Sequence, residues 1–196
     1  MNQTAPDIFT NVHKGIRRAL FSACLALGRA GDDAVQGDAA RARLREALRF
    51  VAHHGENEDL LLLPLLAQHA PEIFERIQAA HVRVQAALEA LTAALETASP
   101  SALYARTCRF IALYLEHMDE EEHELEPAIR RALSVEQLAG FGRGSVERTA
   151  PADQRMMLSF MLPAMARSDA AAFLARLPPA LADELRPLSA QGDATL

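Results

Sequence analysis

The sequence contains few aromatic residues and almost no cysteine. Among its 196 residues there are two Cys, two Tyr, eight Phe and no Trp. The two cysteines, Cys24 and Cys108, lie far apart in apolar segments. No Cys-x-x-Cys pair is present, which excludes the usual thiolate motifs for zinc binding and redox exchange. We expect both cysteines to be buried free thiols in a reducing compartment.

An excess of basic residues and a long apolar run are also missing. There are 20 Lys and Arg residues against 26 Asp and Glu, and the net charge of −6 argues against a nucleic-acid partner. No run reaches the roughly 18 apolar residues that a membrane span requires. The N-terminal residues do not show the basic and then apolar pattern of a secretion signal. We therefore expect a cytoplasmic protein without nucleic-acid or membrane partners.

Helix-forming residues are abundant. Half of the chain is hydrophobic, and Ala, Leu, Arg and Glu dominate while β-branched residues are scarce. Straight-chain residues lose little entropy in helices, so this composition favours an all-α fold. Periodicity and Pro and Gly positions predict four long helices, over about residues 8–29, 39–63, 71–97 and 102–132. Their short connections indicate an antiparallel up-down four-helix bundle.

Two helix boundaries depend on single residues. Asp38 is predicted to cap the second helix. Pro64 should kink or end that helix near Leu63, and Pro127 should have the same effect on the fourth helix.

The character of the sequence changes after Ser134. Residues 140–145, GFGRGS, are interpreted as a Gly-rich connector, followed by shorter helices interrupted by proline. Met157, Met161 and Met165 recur every four residues and predict one apolar stripe. This stripe either packs on the bundle or joins two subunits of a homodimer. The predicted division is a bundle over residues 1–133 and a helical extension packed on it over residues 134–196.

Two segments share one pattern, HGENEDLLLLP at residues 54–64 and HMDEEEHELEP at residues 117–127. Each begins with His, has Glu four positions later and Pro ten positions after the His. Residues four apart lie about 40° apart around a helix, so each His and Glu share a face. The two pairs are His54 with Glu58 and His117 with Glu121. His53 does not keep the ten-residue distance to proline, so His54 is the inward residue.

Two further histidines, His13 and His81, lie on apolar stripes of the first and third helices. Equal distances to the shared turns of antiparallel helices place both at the level of the two His-Glu pairs. Buried carboxylates without cations cost several kcal/mol each, and a bound metal pair removes this cost. Mixed His and carboxylate ligation suits iron, manganese or zinc.

Neighbouring residues are candidates for supporting roles. Asp59 and Glu122 could hydrogen-bond the ligating imidazoles, and Tyr114 is either a proton donor to the site or an interfacial aromatic. Glu122 is also an alternative to Glu121 as ligand. The fifth position after a histidine lies about 140° away on a regular helix, which favours Glu121 unless a π-bulge intervenes.

The order His, His-x-x-x-Glu, His, His-x-x-x-Glu resembles the hemerythrin-like (HHE cation-binding) family over about residues 8–132. The resemblance implies a four-helix bundle holding two iron ions as an oxo- or hydroxo-bridged non-haem centre, with zinc or manganese as alternatives. It implies a small diatomic or peroxide ligand. The metal ligands that it implies are His13, His54, His81 and His117 as terminal ligands, with Glu58 and Glu121 as bridges.

One departure from the family concerns Gln85, which stands where oxygen-carrying hemerythrins have a fifth histidine. Two six-coordinate metals offer about twelve positions. Four histidines, two bridging glutamates and one oxo or hydroxo bridge leave one of these positions open on each metal. This favours binding or sensing of O2, NO or related oxidants over simple oxygen carriage. The alternatives are a di-iron enzyme of nitrosative or oxidative stress, which reduces NO or peroxide or delivers iron for iron–sulfur repair, and a zinc or mononuclear metal protein.

Overall fold

The computed structural model describes residues 6–31, 33–177 and 179–189, and these ranges contain helices and no strand. The helices are α1 (Thr10–Ala30), α2 (Ala34–Asn57), α3 (Leu63–His69), α4 (Pro71–Ala94), α5 (Pro100–Glu120), α6 (Glu126–Ala132), α7 (Val135–Arg148), α8 (Pro151–Ala164), α9 (Arg167–Leu174) and α10 (Pro179–Ser189). The all-α prediction is confirmed. Among the described helices, none combines the length and the apolar character needed to cross a membrane.

The second helix begins earlier than predicted. Gly31, at φ 50°, ends α1, and Asp33 then caps α2 by accepting a hydrogen bond from the Gln36 amide. Asp38, the predicted cap, therefore lies inside α2. Gly31 turns the chain directly after α1, and Asp33, with an extended backbone, takes the capping position.

Proline does not end the second and fourth helices of the bundle. Two π-helical turns, Glu58–Leu62 and Glu121–Leu125, join α2 to α3 and α5 to α6. Pro64 and Pro127 follow directly in the first turn of the next helix. Proline has no N–H and its ring crowds the carbonyl four residues earlier, so a widened turn lets the helix continue.

The bundle core consists of two hydrophobic clusters with a polar layer between them. The larger cluster contains Ile16, Leu20, Leu44, Phe50, Val84, Leu88, Leu103 and Phe110 among others. The smaller cluster contains Phe9, Leu62, Leu66, Ile77, Leu125, Ile129 and Leu138 among others. Every histidine and glutamate of the predicted site lies in sequence between members of the two clusters, so these polar groups are enclosed by apolar side chains.

Helices α8, α9 and α10 contact one another, and α8 joins them to the bundle. Helix α8 contacts α1 and α2, and an Arg49–Asp153 ion pair of 2.6 Å joins α2 to α8. Met157 and Met161 pack against the larger cluster, while Met165 packs in a third cluster with α9 and α10. The predicted stripe therefore packs within the chain, and its alternative role in a homodimer stays a prediction.

The interpretation of residues 140–145 as a connector is wrong, because they lie inside α7. A capping box between Ser134 and Gln137 starts this helix. A Cβ at Gly144 would lie 3.2 Å from a methyl group of Leu61. This glycine allows α7 to approach the first π turn closely, which is a packing role rather than chain flexibility.

Candidate metal centre

The six predicted ligands converge in the polar layer of the bundle. Four helices contribute one histidine each, and both glutamates are the first residues of the π turns. The side chains are His13 from α1, His54 from α2, His81 from α4, His117 from α5, and Glu58 and Glu121. All are buried except His81, whose side chain is 11% exposed.

These side chains form two groups that share both glutamates. His13 and His54 belong to one group, His81 and His117 to the other, and within each group one ligand atom per residue lies within 4.8 Å of the rest. Glu121 Oε2 is 3.4 Å from His13 Nε2, and its Oε1 is 3.3 Å from His117 Nε2. Glu58 Oε1 is 3.4 Å from His54 Nε2, and its Oε2 is 3.5 Å from His81 Nε2. Each carboxylate thus presents one oxygen to each group, as a bridging ligand does.

The carboxylates of Glu121 and Glu122 lie in different positions relative to the cluster. The π turn begins only at Glu121. The helix between His117 and Glu121 is therefore regular, and Glu122 is not rotated toward the centre. Glu122 Oε1 instead accepts hydrogen bonds from His13 Nδ1 at 2.8 Å and from Arg17 at 2.7 Å. The structure therefore places Glu121 inside the cluster and Glu122 behind an imidazole.

The same arrangement recurs in the other half of the centre. Asp59, directly after Glu58, accepts a hydrogen bond from His81 Nδ1 at 2.6 Å. A proton held on Nδ1 leaves the Nε2 lone pair free to face the centre. Asp59 and Glu122 thus each hold one histidine by its outer nitrogen, as the sequence suggested.

The unsatisfied atoms of the cluster fit a pair of cations. Both carboxylate oxygens of Glu58 and of Glu121, together with His81 Nε2, have no hydrogen-bond partner. His13 Nε2 and His54 Nε2 lie only 3.0 Å apart, and two facing lone pairs repel unless a proton or metal ion lies between them. Buried groups of this kind are costly unless cations satisfy them. The donor set of imidazoles and carboxylates suits iron, manganese or zinc.

Without a cation, protons neutralise the cluster. Burial and the nearby Glu121 charge raise the pKa of Glu58 to about 7. Burial alone would raise the pKa of Glu121, but contacts with His13 and His81 lower it. Burial lowers the pKa of both histidines, yet their contacts with the acids outweigh this, raising the pKa of His13 to about 9 and that of His81 to about 11. A metal ion must therefore displace protons from these imidazoles.

Tyr114 is buried one turn before His117, with ring centroids 5.5 Å apart. Burial first, and then the charges of Glu58 and Glu121, raise its pKa well above the ordinary value. Burial lowers the pKa of His117 and of His54. Tyr114 is thus a neutral core aromatic that closes the larger hydrophobic cluster next to the centre.

Other polar residues do not enter the cluster. Gln85 is exposed and donates to Glu89 at 2.8 Å, so no side chain takes the place of a fifth imidazole from this position. His53 contacts the Thr149 hydroxyl at 2.7 Å and so ties α2 to the end of α7. Sequence reasoning missed Arg17, which holds Glu122; its position four residues after His13, on the same helix face, was the available signal.

The centre is closest to solvent at His81. A surface groove beside this residue lies between α3 and α4, and its lining includes Asp59, Leu63, Phe74 and Gln78. Helix α8 packs elsewhere, on α1 and α2.

Residues 4–129 match the family model described as Hemerythrin HHE cation binding domain. The chain belongs to this family. The match contains all six residues of the cluster, and it explains why two His-x-x-x-Glu segments and two isolated histidines recur in this order. No curated protein and no solved structure matches the chain. For a hemerythrin HHE domain, the buried His and Glu groups indicate metal binding.

Proposed function

We propose that this hemerythrin-like chain is a non-haem di-iron protein that binds or senses O2, NO or a related oxidant such as peroxide. The observation that carries the proposal is the pair of buried groups in which Glu58 and Glu121 each face both halves. Two carboxylates shared between two His pairs suit two metal ions better than one.

In this proposal His13 and His54 would hold one ion, His81 and His117 would hold the other, and Glu58 and Glu121 would be shared between them. A bound iron pair supplies redox chemistry and positions open to small ligands, whereas zinc in the same site supplies no redox step. The chain's own contribution is to orient the imidazoles and to exclude water. The apolar clusters on both sides of the layer serve this exclusion.

A second candidate is a di-iron enzyme of nitrosative or oxidative stress. The observation that favours it is the outward position of Gln85, which leaves four imidazoles for two ions. Fewer protein ligands leave more coordination positions for reacting molecules. The same site could therefore reduce NO or peroxide, or deliver iron.

Metal analysis of freshly purified protein, together with its absorption spectrum, tests the first proposal. We expect about two iron ions per chain and near-ultraviolet bands typical of an oxo-bridged pair. A colourless protein that contains only zinc would count against both iron proposals. Turnover with NO or peroxide then separates the enzyme from the binding protein, since a binder saturates without consuming the ligand.

We also propose that residues 1–133 form the metal-binding unit, that residues 134–196 form an extension on it, and that the protein is cytoplasmic. The same proposal includes a homodimer that forms through the Met-rich helices. Light scattering of the purified chain measures its mass, and a mass near 21.4 kDa would exclude the dimer.

A further inference from the structure

A pair of thiols lies outside the metal centre. Cys24 from α1 and Cys108 from α5 have their sulfur atoms 3.5 Å apart, and both residues are free and half-buried. A disulfide bond requires a sulfur separation of about 2.05 Å. The two sulfurs are therefore in contact but not bonded, and they have to move closer together on oxidation.

Two flanking residues complete a small site around the sulfurs. Tyr104 lies one turn before Cys108, and Gly28 lies one turn after Cys24. A Cβ at Gly28 would lie 3.2 Å from the Tyr104 ring, so the missing side chain lets this ring lie across α1. Tyr104 is 42% exposed, and a hydrogen bond with Cys108 raises the pKa of its hydroxyl. The site is therefore open to solvent on the tyrosine side.

The two sulfurs are not equivalent. Burial, followed by the contact with Cys108, raises the pKa of Cys24 to about 12, so this thiol stays protonated at neutral pH. Cys24 can then donate its S–H to Cys108, as can the hydroxyl of Tyr104. The Cys108 sulfur lies beside Tyr104, on the side of the pair that is open to solvent. This arrangement assigns the attacking role to Cys108 and the resolving role to Cys24.

We propose that Cys24 and Cys108 form a second oxidant-reactive site whose substrate is hydrogen peroxide. The Cys108 thiolate attacks the peroxide, the O–O bond breaks, and with one proton the products are a sulfenic acid and one water molecule. The Cys24 sulfur then attacks the sulfenic sulfur, its proton leaves with the hydroxyl group as a second water, and the disulfide forms. The two sulfurs lose two electrons in total, and the peroxide gains them.

The product would link two helices that carry histidines of the metal centre. Cys24 lies on α1 with His13, and Cys108 lies on α5 with His117. The bond would close a loop between residues 84 positions apart. Closing a long loop stabilises a fold mainly by restricting the unfolded chain.

The experiment uses the full-length protein as purified and, in parallel, after removal of its metal by chelation. Each sample receives one equivalent of hydrogen peroxide, and intact mass and non-reducing peptide maps are then recorded. We expect a loss of about 2 Da, a Cys24–Cys108 linked peptide, reversal by dithiothreitol, and a melting temperature higher by on the order of 5 °C. The linked peptide should form in both samples, because metal plays no part in the reaction.

Variants separate the roles of the sulfurs. In Cys24→Ser the sulfenic acid should persist on Cys108 and react with dimedone, while Cys108→Ser should leave Cys24 unmodified. Tyr104→Phe should give the same product several-fold more slowly. Circular dichroism of each variant verifies folding.

Three results would overturn the proposal. They are disulfides between separate chains only, a sulfinic acid on one cysteine without the linked peptide, and linkage that requires the bound metal. In the metal-free sample, neither the presence nor the absence of the linked peptide depends on a di-iron centre. The failure of this proposal can therefore be distinguished from the failure of the proposed function.

Discussion

Adjacent acidic residues have different roles in this chain because they occupy different sides of a helix. Glu58 and Glu121 are at most 1% exposed and face four imidazoles. Asp59 and Glu122 follow them directly and contact the outer nitrogen of a histidine instead. A change at either kind of position should therefore affect metal binding, but to different degrees.

Replacing Glu58 by Gln should remove most bound metal, because one bridge between the two groups is lost. In the metal-free protein the same change should raise the melting temperature, since it removes a buried acid next to Glu121. Metal content and thermal unfolding of both forms measure this. Glu56→Gln, at an exposed position two residues earlier, is the matched control and should alter neither. Full metal retention in Glu58→Gln and in Glu121→Gln would contradict the assignment.

Glu122→Gln should weaken metal binding by about 10–100-fold without abolishing it, because the His13 imidazole loses its charged partner. Competition with a chelator measures the affinity. Glu124→Gln is the control: this residue pairs with Arg76 on the surface and does not contact a cluster histidine, so the affinity should stay unchanged. Equal affinities of the two variants would show that the His13–Glu122 hydrogen bond does not support the site.

At the scale of the element, close helix contacts rather than loops hold the C-terminal extension in place. Helix α8 crosses α1 at Gly15, where a Cβ would meet Met161 Cγ at 2.6 Å and the backbone of Met161 at 3.1 Å. Backbone atoms cannot rotate away, so α8 has to move if this glycine gains a side chain. Gly15 lies two residues after His13, which brings this contact near the metal layer.

Gly15→Ala should therefore destabilise the protein by about 1–3 kcal/mol, the usual cost of overpacking. Gly142→Ala, inside α7 with nothing within 4 Å of the added Cβ, should instead stabilise it by about 0.5–1 kcal/mol through helix propensity. Urea unfolding of the two variants and the parent measures both values. A neutral Gly15→Ala would show that α8 does not pack on α1 as described.

At the scale of the whole molecule, the fold places a charged layer between two apolar clusters and so makes stability depend on what fills that layer. Metal ions and protons compete for the same nitrogen atoms. In the metal-free chain His13 and His81 hold protons at neutral pH, because their pKa values are raised to about 9 and about 11. A ligand that binds only the folded state raises its stability, so pH should govern how much metal binding stabilises the fold.

The difference in melting temperature between metal-loaded and metal-free protein should increase from pH 6 to pH 9. Both folded pKa values lie above the ordinary value of 6.5. The stability that protonated His13 and His81 contribute to the metal-free form is therefore complete below pH 6.5 and is lost as the pH rises through 9 and then 11. Metal affinity rises over the same range, about tenfold per pH unit for each proton displaced. Calorimetric scans of both forms at several pH values measure the trend, and a constant difference would contradict it.

The sequence predicted the bundle and the location of the six cluster residues because both depend on regular spacing. Two matched His-x-x-x-Glu segments and the helical period determine which side chains face inward. Features that depend on packing against a residue distant in the sequence were not predictable from spacing. The packing of Gly144 on Leu61 is one, since a glycine run resembles a loop until its neighbour is known. The start of α2 at Ala34 was missed because several acidic residues could cap the helix, and the sequence alone does not show that Asp33 does so.

The surface groove beside His81 has a kinetic consequence. It reaches the most exposed residue of the cluster, so we expect a small neutral molecule to enter the buried layer there. The width of this route sets how fast a molecule arrives and leaves, whereas the six residues set how tightly it is held. Residues such as Phe74 and Gln78 can therefore tune arrival and residence rates together while the equilibrium affinity stays constant.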